Sequence, residues 1–506
     1  MGVAILRSRA QLGTVAPPVT IEVFLSGGLP GFSIVGMPAT AVRESKDRVR
    51  SAILSTGFRF PLEKITVSLG PADMPKTGGR FDLAIALGIL AATRQLPADN
   101  FDAVEFFAEL ALNGTLRPVP GVLPAALRAA EAGHAIIVAS GNGYEAALVS
   151  DRVIAADSLP EVTAHLSGKR ELKPIASLPP ANDTATFREL ADVRGQAHAK
   201  RALEVAAAGG HNLLLVGPPG TGKSMLAARL PGILPRMTEA EAIETAAIES
   251  VLGNPLQLDH WRQRPYRAPH HTASAAALVG GGPEPRPGEI SRAHNGVLFL
   301  DELPEFNRNV LEVLREPLEA GTITISRAGR QADFPARFQL VAAMNPCPCG
   351  YLGDESGNCI CSADRVARYR SRLSGPLLDR IDLHVEVGRP PIQSVYEEAG
   401  TETSADVRER VSRSRHVQQA RAGRCNAHLD GDELRRHCVL ERKERCLLDE
   451  AAEKFALSVR SYQRVLRVAR TIADLAGSTP IRAGHIAEAL NLKGLERKQE
   501  PELLSR

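Results

Sequence analysis

The stretch that most restricts the fold is Gly217-Pro-Pro-Gly-Thr-Gly-Lys-Ser224, which fits the pattern G-x-x-x-x-G-K-S. It follows a strand-like apolar run and opens a helical one, so its backbone N–H groups are expected to wrap the phosphates of ATP. Lys223 is expected to neutralise the β and γ phosphates, and the Ser224 hydroxyl to ligate Mg²⁺. The other predicted nucleotide-binding residues are Gly217, Pro218, Pro219, Gly220, Thr221 and Gly222.

Two further apolar runs end in polar side chains. The first, GVLFL, ends in Asp301 and Glu302, and the second ends in Asn345. Carboxyl ends of parallel strands meet at the sheet edge where ligands bind. Asp301 is expected to complete the Mg²⁺ shell, and Glu302 to orient and deprotonate the attacking water. Asn345 is expected to position that water; a turn-forming Asn before Pro346 is the alternative.

Strand-like runs alternate with helical segments, which predicts an α/β protein with a parallel sheet. A chain of 506 residues fits about three domains. We expect an N-terminal α/β domain over residues 1–167, a Pro-rich linker over 168–186, a P-loop core over 187–392 and a helical lid over 393–506.

The P-loop, the Asp-Glu strand, Asn345 and the segment LLDRID together resemble the AAA+ ATPases from about Phe187 onward. In that superfamily an arginine of one subunit completes the site of its neighbour, because phosphoryl transfer needs added positive charge. The matching position is Arg380, and Arg372 is a weaker candidate.

The resemblance also implies that the lid supplies an arginine to the site of its own chain. Arg460, Arg464 and Arg467 share one helix face by their spacing, and we assign this role to Arg460. A solvated basic face is the alternative.

Longer sequence segments resemble one particular group within the AAA+ superfamily. RPYRAPHHTASAAALVGGG, PRPGEISRAHNGVLFLDELPEF, MNPCPCGYLGD and the N-terminal GLPGFSIVGMP resemble the magnesium-chelatase-like ATPases of the ComM (YifB) group. This implies an ATP-driven hexameric DNA motor that promotes branch migration. It would integrate single-stranded DNA in homologous recombination during natural transformation. The implied partners are single-stranded and branched DNA and further copies of the chain.

Two segments are candidates for DNA contact within a ring. TITISRAGRQADFPARF predicts a hairpin with a basic, Gly-containing turn, and Arg327 and Arg330 are candidates for phosphate contacts. An ordinary surface hairpin is the alternative. The insert 265–292 is expected to form a second mobile loop. Its His270 and His271 are expected to point apart on a strand, which disfavours a metal site.

Four cysteines, Cys347, Cys349, Cys359 and Cys361, form C-x-C-x9-C-x-C in a Gly-containing loop. Four thiolates in a segment without its own core predict a structural Zn²⁺ knuckle over 347–361. The C-x-C spacing is tighter than the common C-x2-C, and reduced thiols without a metal are the alternative.

The N-terminal segment PADMPKTGGRFDLAIAL resembles a Lon-protease-type domain, with the ribosomal S5 domain 2-like fold. The nucleophilic Ser and the basic Lys of that family correspond here to Arg80 and Leu123. Without nucleophile and base, we predict no peptide hydrolysis. Lys76 and Arg80 are expected to contact phosphates or to serve a structural role.

The net charge is only +3, so a DNA-binding surface must be local. No apolar run approaches the ~20 residues of a membrane span, and the seven cysteines argue against a disulfide framework. We expect a cytoplasmic protein without a membrane partner. A magnesium chelatase ATPase subunit, acting on a porphyrin through a partner, is the alternative function. The N-terminal domain and the cysteines favour the DNA motor. A remodelling chaperone is a third option, which the hairpin disfavours because Phe334 lies only at its edge.

Overall fold

The structure is a computed structural model, and it describes residues 2–97, 101–176, 187–256, 258–282, 285–327, 330–354, 357–389 and 402–493. The second part of the predicted linker, 177–186, lies outside the described residues. The same holds for the two ends of the predicted lid, 393–401 and 494–506.

The N-terminal region contains a mixed seven-stranded sheet in the order β3-β4-β2-β1-β5-β8-β9. The strands of the region are β1 (Gly2–Arg9), β2 (Pro18–Ser26), β3 (Gly31–Val35), β4 (Lys64–Gly70), β5 (Val104–Phe107), β6 (Glu109–Leu110), β7 (Leu116–Arg117), β8 (Ala135–Ala139) and β9 (Val153–Ala156). Its helices are α1 (Thr40–Arg43), α2 (Ser45–Ser55), α3 (Asp82–Ala92), α4 (Val122–Glu131), α5 (Ser140–Ala147) and α6 (Leu159–Leu166). Helix α3 is buried along its whole length, because it is apolar on nearly every face and packs on β1 and β2.

The central region contains a five-stranded sheet in the order β11-β14-β17-β10-β18, with every neighbouring pair parallel. The strands of the region are β10 (Leu213–Val216), β11 (Tyr266–Arg267), β12 (Gly280–Gly281), β13 (Arg286–Pro287), β14 (Val297–Leu300), β15 (Thr322–Arg327), β16 (Arg330–Pro335), β17 (Gln339–Met344) and β18 (Leu383–Glu386). The helices are α7 (Ala197–Gly209), α8 (Lys223–Ala227), α9 (Leu230–Ile233), α10 (Glu239–Leu252), α11 (Ala275–Val279), α12 (Glu289–Arg292), α13 (Arg308–Glu312), α14 (Arg315–Ala320), α15 (Ala363–Arg370) and α16 (Gly375–Leu378). The predicted parallel sheet is confirmed, and β10, β14 and β17 are buried on both faces.

The C-terminal region is helical, as predicted, with α17 (Ser404–Ala422), α18 (Gly431–His437), α19 (Arg442–Lys454), α20 (Val459–Leu475) and α21 (Ala483–Asn491). Helices α17 and α20 pack on α7, so this region shares a hydrophobic core with the central sheet. The Asp474 carboxylate accepts hydrogen bonds from Arg421, Arg470 and Asn426, and its side chain is only 2% exposed. Among the helices of the described residues, none is long and apolar enough to span a membrane.

The N-terminal region contacts the central region at two places. The Gly121 N–H donates to the Ser250 carbonyl at 2.7 Å, and the Leu123 N–H donates to the Ser250 hydroxyl at 3.2 Å. Near the base of the β15–β16 hairpin, a Cβ added to Gly13 would lie 3.0 Å from the Asp333 carbonyl oxygen. The N-terminal region therefore packs against both α10 and the hairpin.

Candidate nucleotide-binding site

Three of the predicted site segments lie at one edge of the central sheet. The P-loop follows β10, the acidic pair follows β14, and Asn345 follows β17. These strands are parallel neighbours, with Val216 opposite Met344 and Leu300 opposite Ala342. Their carboxyl ends therefore converge, as expected for a ligand site in an α/β sheet.

The P-loop backbone takes conformations that favour glycine. Gly220 and Gly222 have φ angles of +79° and +85°, in the left-handed region. Gly217 passes so close to the end of β18 that an added Cβ would lie 2.1 Å from the Val387 carbonyl oxygen. A side chain at any of these three positions would distort the loop that carries the N–H groups.

The Lys223 ammonium lies at the centre of this edge. It donates to the carbonyl oxygens of Gly217 and Pro218, both at 2.8 Å, and to Asn345 Oδ1 at 3.2 Å. Burial lowers the pKa of Lys223, and the nearby Asp301 carboxylate opposes that shift. The structure thus brings together the P-loop lysine and the amide that we predicted to position water.

Ser224 and Asp301 meet beside the lysine. The Ser224 hydroxyl donates to Asp301 Oδ2 at 2.5 Å, and the Glu302 N–H donates to Asp301 Oδ1 at 2.9 Å. A hydroxyl and a carboxylate are oxygen ligands, the kind that Mg²⁺ takes when it also binds phosphates. The residues present therefore fit a magnesium ion.

Glu302 has an unusual backbone and an unpredicted partner. Its φ and ψ angles are +51° and +47°, a left-handed conformation that non-glycine residues rarely adopt outside constrained sites. Its Oε2 lies 3.1 Å from His271 Nδ1. The rings of His270 and His271 lie 4.1 Å apart, so our expectation that they point apart on a strand is wrong. Strand β11 ends at Arg267, and the alternation of a strand does not extend to them.

Arg380 lies at the opposite edge of the sheet. It stands just before β18, which pairs with β10 over four residues, a length of about 13 Å. Its guanidinium pairs with Glu319 of α14 and donates to the Pro376 carbonyl at 2.5 Å. Arg372, the weaker candidate, pairs with Glu305 at 2.8 Å. Arg380 therefore lies far from the P-loop of its own chain.

The arginines of α20 do not form a solvated basic face. Arg464 is buried with its Nε 3.4 Å from Asp382 Oδ1, and Arg467 donates to the Leu429 carbonyl at 2.7 and 3.0 Å. Arg460 is exposed, about one turn ahead of Arg464. Because Asp382 directly precedes β18, the Arg464 side chain lies at the amino edge of the sheet. The role of Arg460 in the nucleotide site of its own chain stays a prediction.

The predicted hairpin is present as β15 and β16. Arg327 and Arg330 face each other across the last described backbone pair, and the turn residues 328–329 lie outside the described residues. One face of the hairpin is buried, through Ile323, Ile325, Ala332 and Phe334. Within the described part of the hairpin the aromatic side chain is therefore covered, contrary to what a chaperone loop requires.

The four clustered cysteines bring their sulfur atoms within 4.8 Å of one another. Cys347 Sγ lies 3.3 Å from Cys349 Sγ and 3.8 Å from Cys359 Sγ. Four sulfur ligands at 2.3 Å from a tetrahedral zinc lie about 3.8 Å apart. Hydrogen bonds, the largest from the Tyr351 N–H, lower the pKa of the Cys349 thiol to about 6, whereas at the Cys359 thiol the Cys361 N–H is outweighed by desolvation and the neighbouring sulfurs, which raise its pKa to about 11. The residues present fit a zinc ion.

The cysteine loop touches the nucleotide site. Gly350 has a φ of +87°, and an added Cβ would lie 2.6 Å from Pro219 Cδ in the P-loop. The loop begins right after Asn345, and Arg370 of α15 donates to the Pro346 carbonyl at 3.4 Å. A rigid cysteine loop would therefore limit movement of both Asn345 and the P-loop.

Arg80 and Leu123, the positions that correspond to the Lon catalytic pair, are both buried, and so is Lys76. Arg80 is 4% exposed and donates to Gln11 Oε1 at 2.6 Å and to the Pro120 carbonyl at 2.5 Å. Lys76 is fully buried and donates to the Pro71 carbonyl. Of the two roles left open for Arg80 and Lys76, these contacts support the structural one.

Two partners of predicted residues were missed from the sequence, His271 beside Glu302 and Glu319 beside Arg380. The only signal for His271 was the His-His pair within a Gly-rich insert, and Glu319 carried none. Both contacts join distant segments of the chain, which periodicity and spacing do not reveal.

The order of the parallel sheet, the P-loop and the acidic strand end define a P-loop ATPase fold of the AAA+ class. Residues 189–395 match the family described as magnesium chelatase, subunit ChlI, and residues 401–493 match the C-terminal family of that subunit. Residues 21–142 match a family described as subunit ChlI of Mg-chelatase. The N-terminal match thus bears a chelatase name, so this region alone does not separate the DNA motor from the chelatase alternative.

Full-length relatives identify the family more narrowly. The chain is 53% identical over 505 residues to competence protein ComM of Haemophilus influenzae, with 98% of each chain covered. It is 49% identical over 504 residues to the uncharacterized protein YifB of Escherichia coli, again with 98% of each covered. The chain belongs to the ComM/YifB family of magnesium-chelatase-like AAA+ proteins.

Proposed function

We propose that the protein is an ATP-driven DNA motor that works as a hexameric ring in the cytoplasm. It promotes branch migration and the integration of single-stranded DNA into homologous DNA during natural transformation. The observation that carries the proposal is the separation of Arg380 from the P-loop of its own chain by the length of the sheet. The competence name of the Haemophilus relative supports the link to transformation.

At each ATP site, residues of the chain that binds the nucleotide contact the phosphates, hold the metal and accept a proton from the attacking water. Lys223 leaves its carbonyl acceptors and neutralises the phosphates, and Ser224 and Asp301 hold Mg²⁺. Bound Mg²⁺ supplies charge neutralisation on the phosphates. Glu302 takes the proton of the attacking water, and Asn345 orients that water.

The positive charge for the transition state comes from a neighbour. Arg380 at the amino edge of one sheet reaches the carboxyl edge of the next subunit's sheet, which requires a head-to-tail arrangement that closes into a ring. Arg460, on the exposed first turn of α20, is assigned a supporting role in the nucleotide site of its own chain, as the family resemblance implies.

DNA contact is assigned to the β15–β16 hairpin, with Arg327 and Arg330 binding phosphates. Arginine contacts to the backbone are independent of sequence and weaken with salt, as a motor that moves along any sequence requires. The insert with β12 and β13 packs beside this hairpin.

The cysteine cluster is assigned to a structural zinc ion. The sulfur atoms of Cys347, Cys349 and Cys359 lie 3.3 to 3.8 Å apart, and all four sulfurs lie within 4.8 Å of one another, close to the separation of about 3.8 Å in tetrahedral ligation. Zinc would stiffen the segment between Asn345 and Arg380, because the loop packs on Pro219 and α15 contacts its first residues. For the domains we retain the boundaries 1–167, 168–186, 187–392 and 393–506.

The family matches favour one alternative, the motor subunit of a magnesium chelatase. It would use the same nucleotide chemistry and would act on a porphyrin through a partner. A porphyrin-dependent partner that raises ATP turnover, together with indifference to DNA, would support this alternative.

The decisive experiment is steady-state ATP hydrolysis with and without single-stranded DNA and four-way junctions at low salt. Glu302→Gln is the control that identifies turnover at this site. DNA stimulation that fades with added salt is the expected result and justifies a branch-migration assay. Hydrolysis that depends on Glu302 but ignores every DNA would contradict the DNA motor and leave the ATPase assignment standing.

A further inference from the structure

We propose that the side-chain amide of Asn212 holds the Arg380 backbone in the position from which the guanidinium reaches a neighbour's nucleotide. Asn212 is thus a positioning residue for the site of the next subunit, and it takes no part in the nucleotide site of its own chain. The inference rests on the proposed in-trans role of Arg380.

The first step is that Arg380 lies beyond the hydrogen-bond ladder of the sheet. The pairing of β10 with β18 starts where Leu213 lies opposite Leu383. One residue earlier, the Asn212 carbonyl accepts from the Asp382 N–H at 3.1 Å. Arg380 stands two residues before Asp382, in the turn that follows α16. The ladder therefore ends before it reaches Arg380, and the Arg380 carbonyl takes its partner from a side chain.

The second step is the amide that supplies this partner. Asn212 Nδ2 donates to the Arg380 carbonyl at 2.8 Å, and Asn212 Oδ1 accepts from the Leu340 N–H at 2.8 Å. A backbone N–H only donates and a backbone carbonyl only accepts, so the two partners determine the orientation of the amide. Asparagine offers this donor and this acceptor from one short planar group, whereas aspartate offers two acceptors and alanine offers neither.

The third step is that the amide ties Arg380 to the buried part of the sheet. Asn212 directly precedes β10 and Leu340 lies in β17, and both strands are buried on both faces. The Asn212 N–H also donates to the buried Asp382 carboxylate at 3.1 Å. The Arg380 side chain, in contrast, has an exposed ionic partner in Glu319. Its direction toward a neighbour therefore depends on a well-held backbone.

The fourth step separates Asn212 from the ATP site of its own chain. Strand β10, which is about 13 Å long, lies between Asn212 and the P-loop. The contacts of Lys223 and Ser224 with the other P-loop and acidic residues do not involve Asn212. A change at Asn212 should therefore affect the subunit that supplies the arginine and spare the subunit that binds the nucleotide.

The size of the effect follows from one hydrogen bond. The loss of such a bond changes the equilibrium between two arrangements by about two- to tenfold. The phosphoryl transition state gains only from the arrangement in which the guanidinium is in place. Loss of the Asn212 donor should therefore lower ATP turnover by about two- to tenfold and leave nucleotide affinity unchanged.

The experiment uses two inactive chains that complement each other, a donor with Glu302→Gln and a receiver with Arg380→Ala. Asn212→Asp is added to the donor in one mixture and to the receiver in another. The aspartate keeps the acceptor for the Leu340 N–H and lacks the donor for Arg380. ATP turnover of each mixture is compared with that of the unmodified mixture, and nucleotide binding of each chain is measured with a fluorescent ATP analogue. Turnover should fall about two- to tenfold when the donor carries the change and stay unchanged when the receiver carries it.

Two further variants separate positioning from charge and from stability. Asn212→Ala adds no charge and should show the same difference between donor and receiver. Gln339 is the matched control, because its buried amide lies at the same edge and donates to the carbonyl oxygens of Ala206 and His211 at 3.0 and 2.7 Å. Gln339→Ala should lower the midpoint of thermal unfolding and should affect donor and receiver alike.

Two results would overturn the inference. One is an equal loss of turnover in the donor and receiver mixtures for both Asn212 variants, which would reveal a structural role alone. The other is full turnover in all of these mixtures. In both cases an active unmodified mixture would still support the in-trans role of Arg380. An inactive unmodified mixture, in chains shown to assemble together, would overturn that role and this inference with it.

Discussion

A mixture of two inactive variants distinguishes a trans-acting from a cis-acting Arg380. Arg380→Ala keeps the P-loop, Asp301 and Glu302 but lacks the arginine, and Glu302→Gln keeps the arginine but lacks the base. Each homogeneous protein is expected to hydrolyse ATP slowly, since loss of such an arginine costs about 10³- to 10⁵-fold. Nucleotide binding should persist in both, because Lys223 and Ser224 are intact.

The ATP turnover expected of the mixture follows from the position of Arg380 and Glu302 at opposite edges of the sheet. A productive interface needs Glu302 from an Arg380→Ala chain and Arg380 from a Glu302→Gln neighbour. At equal concentrations, with random assembly and independent sites, this occurs at about one interface in four, whatever the number of subunits. The mixture should therefore recover about a quarter of the wild-type rate per chain.

The assay is ATP turnover of the mixture after joint incubation, at a fixed total protein concentration. A titration of one variant into the other should give a maximum at equal amounts, and the control is Lys223→Ala mixed with Glu302→Gln. That control should stay inactive, because Lys223 and Glu302 both belong to the subunit that binds the nucleotide. Every nucleotide site in the mixture therefore lacks one of these two residues. A mixture that is no more active than its two components, in proteins shown to assemble together, would refute the in-trans assignment of Arg380.

Three further predictions concern other parts of the chain. Asp474→Ala removes the 2% exposed carboxylate that pairs with Arg421 and Arg470, and thermal or urea unfolding should show a loss of about 3 to 5 kcal/mol; the exposed control Asp432→Ala should change little. Replacing both Arg327 and Arg330 by Ala should reduce the slope of log affinity for single-stranded DNA against log salt by about 1.4, measured by fluorescence anisotropy. Cys359→Ser should abolish the zinc of the purified protein, measured by elemental analysis, whereas Cys446→Ser should retain it; a wild type without zinc would contradict the assignment.

The sequence predicted the carboxyl edge of the sheet well, because the signals there are local. The P-loop lies between a strand and a helix, and Asp301 and Glu302 follow a buried strand. In a parallel sheet, residues that directly follow a strand lie at the carboxyl edge, so their position could be predicted from the local sequence. The contact between His271 and Glu302 depends instead on how an irregular insert folds over the strand ends. The role of Arg460 is beyond the sequence for a similar reason, since helix periodicity shows which residues share a face but not which sheet edge that face meets.

The segment that carries Arg380 and the Arg380 side chain are held by interactions of unequal strength, and in the proposed ring this difference would allow assembly to activate the site. Buried Asp382 fixes the segment of Arg380, because it accepts from the Asn212 N–H at 3.1 Å and pairs with Arg464 at 3.4 Å. The Arg380 side chain is 10% exposed; it donates to the Pro376 carbonyl, and its ionic partner is Glu319, which is 57% exposed. Such a partly exposed pair contributes about 1 kcal/mol or less. An arginine at a phosphoryl transition state contributes about 4 to 7 kcal/mol, the equivalent of 10³- to 10⁵-fold in rate. In the proposed ring, the guanidinium would therefore gain more at a neighbour's transition state than it gives up at Glu319, while the segment that carries it stays in place.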